Sequence, residues 1–379
     1  MVPPAYDLII VGGGLAGGLC ALALAKRRPE LRIALIEPGT IGGNHLWSFF
    51  GSDIADGDRA MVEPLIAHRW ESYRVAFPAH QRHIGEAYQS IASEHLDAAV
   101  RAALPADSII RAAAVCLSPT EVKLSASETL TARAVLDARG GKADGLELGW
   151  QKFVGQLLHI PQGHGVTAPI VMDATVDQSD GYRFVYCLPF DATHLFVEDT
   201  YYTDGPELDH EQLTERIGDY ASGHGWQIAE RSREESGQLP VVMGGDFDKL
   251  WPVADCTARA GARGGFFHPL TSYSLPDAVR FASWLADEAP LDDLGPATRK
   301  RAQQHWRRSA FDRLLARMLF RAADPNQRYK VLQRFYSLSA PLIARFYAGR
   351  STLYDRFRIL AGKPPVSIRR AIQALRNKK

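Results

Sequence analysis

At 379 residues, with 46% apolar and 23% charged side chains, the chain can bury a sizeable core in two or three structural units and is too apolar to be disordered. Four scattered cysteines (Cys20, Cys116, Cys187, Cys256), with no CxxC pair and no His/Cys cluster, argue against a structural zinc site and suit a reducing cytoplasm, so no metal is expected. The formal net charge of +1 hides an asymmetry: Arg299 to Lys379 carries 21 Lys or Arg against three acids, a surplus of 18 positive charges balanced by an acidic remainder.

The chain opens on "YDLIIVGGG", an apolar run that breaks into glycines too early for a secretory signal. No window approaches the ~20 continuous apolar residues that a spanning helix needs. "YDLIIVGGGLAGGLCALALAKRRPELRIALIEPG" instead reads as a βαβ unit. A strand is expected over Asp7 to Val11, a helix from Leu15 to about Lys26, and a second strand from Arg32 to Ile36. Gly12, Gly14 and Gly17 supply GxGxxG at the turn: the first permits the tight turn, the second admits a pyrophosphate, and the third lets the helix pack close. Leu15 and Ala16 sit at the helix start, where free amides face the phosphates. Glu37, closing the second strand, is placed to accept the adenosine ribose hydroxyls. An acid there disfavours a 2′-phosphate, leaving FAD or NAD.

Three features favour FAD. The fingerprint is N-terminal. "ARAVLDARGG" (Ala132 to Gly141) reads as another strand running into Asp137 and a glycine turn. Last, Arg259 to Ala289 gives a glycine-rich turn at Gly264 and Gly265, then His268-Pro269, then a helix with Pro276 near its first turn. Such a late element offers its amides to a flavin; His268 either holds the flavin or only shapes the turn. Only one dinucleotide fingerprint is present, so no separate NAD(P)H domain is expected.

Between these segments lies a β-rich insertion. Strands are expected over Ala168 to Val176, Tyr182 to Phe190 and Thr193 to Tyr202, with a turn at Pro189 to Thr193. A helix follows from Asp209 to about Ser222, and "WQIAERSREESGQLPVV" returns to strand and loop. "FVEDTYY" sets two acids in a strand. Alternation puts Phe196, Glu198, Thr200 and Tyr202 on one face and Leu195, Val197, Asp199 and Tyr201 on the other. Only one acid can therefore enter a given cavity. Tyr182, Phe184 and Tyr186 on the preceding strand form a face aromatic enough to line an apolar pocket and to stabilise a cation. The acids are either wet edge groups or include a carboxyl whose pKa is raised by desolvation.

The basic C-terminal block is interleaved with apolar residues. In "FDRLLARMLFRAA", Phe311, Leu314, Leu315, Met318 and Leu319 share one helical face, with Arg313, Arg317 and Arg321 off it. Two readings fit: an ordinary helical core with solvated arginines, or a surface lying on anionic headgroups.

The stretches "MDATVDQSDGYRFVYCLPF", "FVEDTYY", "GGNHLWSFF", "HPLTSYSLP" and "FYAGRSTLYDRFRILAGKPP" resemble the bacterial lycopene β-cyclases, carotenoid-pathway flavoproteins, over essentially the whole chain. One departure stands out: Ser272 occupies "TSYS" where that family's turn reads TGYS. The resemblance implies an α/β fold with a Rossmann-type FAD-binding domain, an inserted β-rich substrate domain and a C-terminal helical region. The expected segments are 1–80 and 81–145 (FAD domain), 146–254 (substrate domain), 255–295 (closing FAD segment) and 296–379 (basic membrane-docking region). It further implies a non-redox isomerase that closes the ψ ends of lycopene to β-ionone rings, through γ-carotene to β-carotene. That reaction needs reduced FAD, with NAD(P)H as an electron source not consumed stoichiometrically. The catalytic acid falls on Glu198, as a neutral carboxyl that protonates the terminal double bond. Other ψ-ended carotenoids are expected substrates, the enzyme lying on the cytoplasmic face of the inner membrane. Rival readings are a flavin-dependent monooxygenase or reductase of a lipid and, less well, an RNA-binding flavoprotein. No RNA module is recognisable, and no nucleic acid is expected.

Overall fold

A computed structural model describes residues 4–141, 144–179, 181–362 and 367–376. The N-terminal βαβ unit forms with the strand Tyr6–Val11, the helix Leu15–Arg27 and the strand Ile33–Ile36. Tyr6–Val11 pairs in parallel with Ile33–Ile36 on one side and Thr129–Asp137 on the other. A parallel sheet is covered on both faces, which explains the uninterrupted apolar run. Leu8 and Ile10 pack with Leu19 and Leu24 of the first helix and with Val279 and Ala282 of the helix Leu275–Asp287. Ile9 and Val11 pack oppositely, with Ala34, Ile36, Val122 and Val135. Each such fully buried aliphatic side chain contributes about 1.5–3 kcal/mol. The turn that feeds the helix tolerates only glycine at two points. Gly12 has φ +102°, and a Cβ on Gly17 would stand 1.9 Å from the Gly12 carbonyl oxygen.

A second, seven-stranded sheet runs in the order Glu230–Gly245, Leu146–His159, His194–Thr203, Tyr182–Pro189, Ile170–Asp173, Tyr73–Phe77, His80–Ile84. The three strands expected at 168–202 are present within a few residues of the expected bounds. Leu146–His159 was not foreseen as a strand, although it pairs along its length with a strand on either side. Gln151, Lys152 and Gln156 are buried along it among apolar residues, so no polar–apolar alternation marks it out. Residues 73–84 form a hairpin at the far edge of this sheet, joined to Ile170–Asp173 in parallel. The sheet therefore runs across the boundary drawn at 80/81.

One face of this sheet (Val154, Leu158, Val185, Leu195, Val197) packs on Leu213 and Ile217 of the helix His210–Gly223. The other face carries Tyr182, Phe184, Phe196 and Tyr202 toward the C-terminal helices. A small sheet pairs Tyr88–Ala92 with Leu46–Phe50 on one side and Ile66–Trp70 on the other.

The C-terminal region is helical, as expected: Leu294–Arg308, Ala310–Arg321, Tyr329–Tyr336, Ala340–Tyr347, Leu353–Leu360 and Ile368–Arg376. The expected apolar face of Ala310–Arg321 needs correcting. Its buried stripe is Asp312, Arg313, Ala316, Leu319 and Phe320, with Leu315 and Met318 only half-buried. Arg313 is not solvated. Its guanidinium lies 3.7 Å from the centre of the Trp306 ring and donates to the Trp306 carbonyl at 2.6 Å, so stacking and a hydrogen bond replace water. Among the described residues no helix is long and apolar enough to cross a membrane.

Candidate active site

The glycine turn opens a crevice of about 390 Å³ lined by Gly12, Gly14, Glu37, Gly42, Arg139 and Gly140, among others. Glu37 accepts from the backbone N–H of Gly13 (2.8 Å) and Gly39 (2.9 Å), so its carboxylate is fixed at the rim. Nothing lies within 4 Å of where a Cβ on Gly14 would stand, so a diphosphate has room to approach the backbone. Leu15, Ala16 and Gly17 begin the helix directly behind it. This donor set and this space fit an adenine dinucleotide.

Three expected cofactor residues, Asp137, Gly264 and Gly265, lie off this wall. Asp137 is absent from the crevice wall; its carboxylate holds Arg139 (2.8 and 2.9 Å) and lies 3.3 Å from Arg263. Arg139 reaches the crevice in its place. Gly264 and Gly265 line neither this crevice nor the inner cavity described next. They belong to a tight turn whose Gly261 abuts Ala16, and residues 271–275, farther along, reach the inner cavity instead.

His45 lines both the crevice and an inner cavity of about 280 Å³, so the two adjoin there. The inner wall is aromatic, including Trp47, Tyr88, Phe184, Tyr186, Phe196 and Tyr273. Glu198 opens into it. Its Oε1 accepts from Thr200 Oγ1 at 2.6 Å, and its remaining exposure is toward the cavity. Desolvation, followed by the charge of Glu235, pushes the Glu198 carboxyl up to about 8. The shift favours its protonated form at neutral pH.

Asp199 turns the other way and is fully buried. It receives a forked contact from Arg183, with Nε at 2.9 and 3.1 Å and Nη2 at 2.5 Å. Burial raises its carboxyl while the Arg183 guanidinium pulls it down. Alternation along the strand thus separates a paired structural acid from a cavity acid.

Glu235 was not anticipated. It lies in the charged run "RSREESG", where nothing in the residue types separates it from Glu234. The register supplies the distinction. Gly155 pairs with Glu198 on one side and with Glu235 on the other. Directly opposed residues point to the same face, so the two carboxyls rise from backbones about 10 Å apart, with Gly155 contributing no side chain between them. A Cβ on Gly155 would stand 2.4 Å from the Phe196 ring, which fills that gap. Glu235 is 4% exposed and accepts from the Leu46 N–H at 3.0 Å, with His45 Nδ1 at 3.4 Å.

Of the three expected aromatic residues, Phe184 and Tyr186 line the inner cavity. Tyr182 lines a second apolar cavity of about 210 Å³ between the sheet and the C-terminal helices, its hydroxyl 2.6 Å from Met172 Sδ. Met172, Tyr202, Thr271 and Tyr347 line both cavities, so they adjoin. The outer one ends at Leu360 and Ile372, which are exposed.

His268 lines neither of these cavities nor the crevice but a third, polar one that adjoins the inner cavity at Tyr273 and Tyr347; it is 3% exposed, with Nε2 3.7 Å from Asp312. Ser272 does line the inner cavity and has φ +56°, the left-handed conformation that glycine adopts freely. Its Oγ bonds the Pro240 carbonyl at 2.7 Å, which helps hold a serine there.

Comparisons with known proteins agree with this architecture. The family model described as "Lycopene cyclase protein" matches residues 7–373. Lycopene β-cyclase of Pseudescherichia vulneris is 46% identical over 98% of this chain and 97% of its own. That of Pantoea ananas is 43% identical over 98% of both chains. Among solved structures, a geranylgeranyl bacteriochlorophyll reductase-like protein of Thermoplasma acidophilum superposes with TM-score 0.62 at 13% identity, covering 98% of each chain. The p-nitrophenol 4-monooxygenase of Pseudomonas putida superposes with TM-score 0.62 at 13% identity, over 92% of this chain and all of its own. Those two establish the fold alone. With family-wide coverage and relatives above 40% identity, the chain is an enzyme belonging to the lycopene cyclase family.

Proposed function

We propose that the enzyme closes β-rings on ψ-ended carotenoids, lycopene first, with Glu198 as the proton donor. The observation that carries this is Glu198 itself: an acid raised to about 8 and aimed into an aromatic cavity, beside a second acid turned away and neutralised. An end-group alkene is a very weak base, so only an undissociated acid in a dry site protonates it. The neutral carboxyl gives its proton to the terminal double bond. The inner double bond then attacks the tertiary cation, and the six-membered ring closes. The Glu198 carboxylate left behind takes a ring proton back, so the step is an isomerisation with no net oxidation. Phe184 and Tyr186 offer ring faces to the cation. Bound FAD, in its reduced form, supplies negative charge that stabilises cationic species. Gly12, Gly14, Glu37 and Arg139 are the residues proposed to hold it, and NAD(P)H is the proposed source of its electrons. Expression in cells that accumulate red lycopene is expected to turn them orange-yellow with β-carotene; soluble, flavin-loaded protein that leaves lycopene unchanged would sink the reading.

Glu235 acts through its charge. It is the second cause, after burial, of the raised Glu198 carboxyl. Glu235→Gln removes that charge, so the alkaline limb of the pH–rate profile is expected to move to lower pH. A limb that stays in place would remove Glu235 from the machinery.

A C40 hydrocarbon resides in the bilayer, which gives the basic C-terminal region a purpose. On the helix Leu353–Leu360, Leu353, Phe357 and Leu360 follow one face and are 83%, 65% and 48% exposed. The outer apolar cavity opens beside it, at Ile359, Leu360 and Ile372. The proposed occupant of this face is an anionic bilayer, matched by the surplus of 18 positive charges from Arg299 onward. Co-sedimentation with phosphatidylglycerol vesicles is expected to weaken with salt and to fall in Leu353→Ser/Phe357→Ser. Equal binding to neutral and anionic vesicles would refute the electrostatic part.

A further inference from the structure

A third cavity, of about 310 Å³, adjoins the inner cavity at Tyr273 and Tyr347 but is unlike it in character. Five guanidiniums line it: Arg280, Arg301, Arg308, Arg350 and Arg356. The carboxylates on its wall are only Asp277 and Asp312. Among the described residues Arg280 alone of the five lies within 4 Å of a carboxylate, pairing with Asp277 at 2.8 Å. Three of the others rest on weaker partners. Arg301 donates to the Arg280 carbonyl at 3.2 Å, Arg356 to the Arg308 carbonyl at 3.4 Å, and Arg350 to the Ser52 carbonyl. Burial, with Arg280 and Arg308 close by, holds the Arg301 guanidinium below its ordinary value.

Polar groups on the wall also lack partners. His268 Nε2, in a residue 3% exposed, makes no hydrogen bond, the Asp312 carboxylate standing 3.7 Å away, and neither do Ser351 Oγ or Arg356 Nε. Gathering like charges and unpaired donors in a partly dry cavity is unfavourable unless an anion completes them. Several arginine forks converging on one space match a tetrahedral oxyanion better than a single carboxylate. Position supplies the source. Gly349, Arg350 and Ser351 on the wall lead straight into the helix Leu353–Leu360, whose exposed apolar face is the proposed bilayer contact, and Arg356 belongs to that helix.

We infer that this cavity binds a phosphate group, that of an anionic lipid headgroup drawn from the bilayer under the helix Leu353–Leu360. The bilayer as source rests on the docking reading above; the anion site rests only on the cavity.

Calorimetric titration of the full chain with dihexanoyl-phosphatidylglycerol below its micelle-forming concentration tests both parts. Saturable one-to-one binding is expected. Arg308→Gln, an exposed position, and Arg356→Gln are each expected to weaken it at least about tenfold, the loss of one charge-assisted hydrogen bond. Lys330→Gln, an exposed charge outside the cavity, is expected to leave it unchanged. Absence of saturable binding, or binding that both cavity variants leave intact, overturns the site. Inorganic phosphate or NADH that competes as tightly as the lipid probe overturns the headgroup assignment. Failure of vesicle docking while the short-chain lipid still binds supports the anion site and removes the bilayer as its source.

Discussion

Glu198→Gln is expected to lose ring closure by at least the ~10²–10⁴-fold that a positioned general acid supplies, with flavin content unchanged. The amide matches the carboxyl in shape and can still bond Thr200, so the cavity should keep its form while the transferable proton is gone. Carotenoid products resolved by chromatography, alongside flavin absorbance of the purified protein, separate the two effects. A variant that cyclises at the wild-type rate would end the assignment. The pH dependence follows from the same group. The acid works in its protonated form, so activity should hold below about 8 and fall about tenfold per pH unit above it. Stability runs in the same direction. Because the folded-state value lies above the ordinary 4.5, Glu198 favours the fold fully below about 4.5, and that contribution is lost as pH rises through about 8. Thermal melts of Glu198→Gln should therefore decline less than wild type across that window; parallel declines would mean the carboxyl ionises as freely folded as unfolded.

Arg183→Met is expected to destabilise the protein by about 3–5 kcal/mol, measured by denaturant unfolding. Methionine keeps most of the apolar volume, so the loss reports the charge. Asp199, at 0% exposure, would be left without its forked donor. Asp199→Asn alone leaves the opposite charge and should also destabilise. The double variant Arg183→Met/Asp199→Asn removes both charges and is expected to recover a large part of the loss, a coupling visible in the double-mutant cycle. Additive losses would show that the pair is no interacting unit. Where the variants fold, catalysis should survive, since Asp199 faces away from the cavity. Adjacent acids in one strand would then be separated by function: one for stability, one for chemistry.

Local features were legible wherever a short-range rule governs them. The βαβ unit is decided by backbone sterics at Gly12 and Gly17 and by an apolar run covered on both faces. The opposite facing of Glu198 and Asp199 follows from the two-residue period of a strand. Positions set by long-range pairing were not legible. The hairpin at 73–84 joins a strand about a hundred residues later, and no local pattern encodes that partner. His268 and Gly264 sit in a segment that does approach the site, but the chain turns so that residues 271–275 reach it instead. Asp137 has the right type and place in sequence, yet Arg139 folds back and takes its carboxylate.

The sequence by itself determined the dinucleotide turn, the strand that carries the two acids, and that those acids take opposite faces of it, because each depends on covalent geometry and nearest neighbours. Only the tertiary structure decided that Gly155 would set Glu198 and Glu235 in one row, and that aromatic rings from distant segments would close over them. A pKa answers to the dielectric and charges within a few ångströms, whatever their separation along the chain. The shift that makes Glu198 an acid exists only once those strands have met.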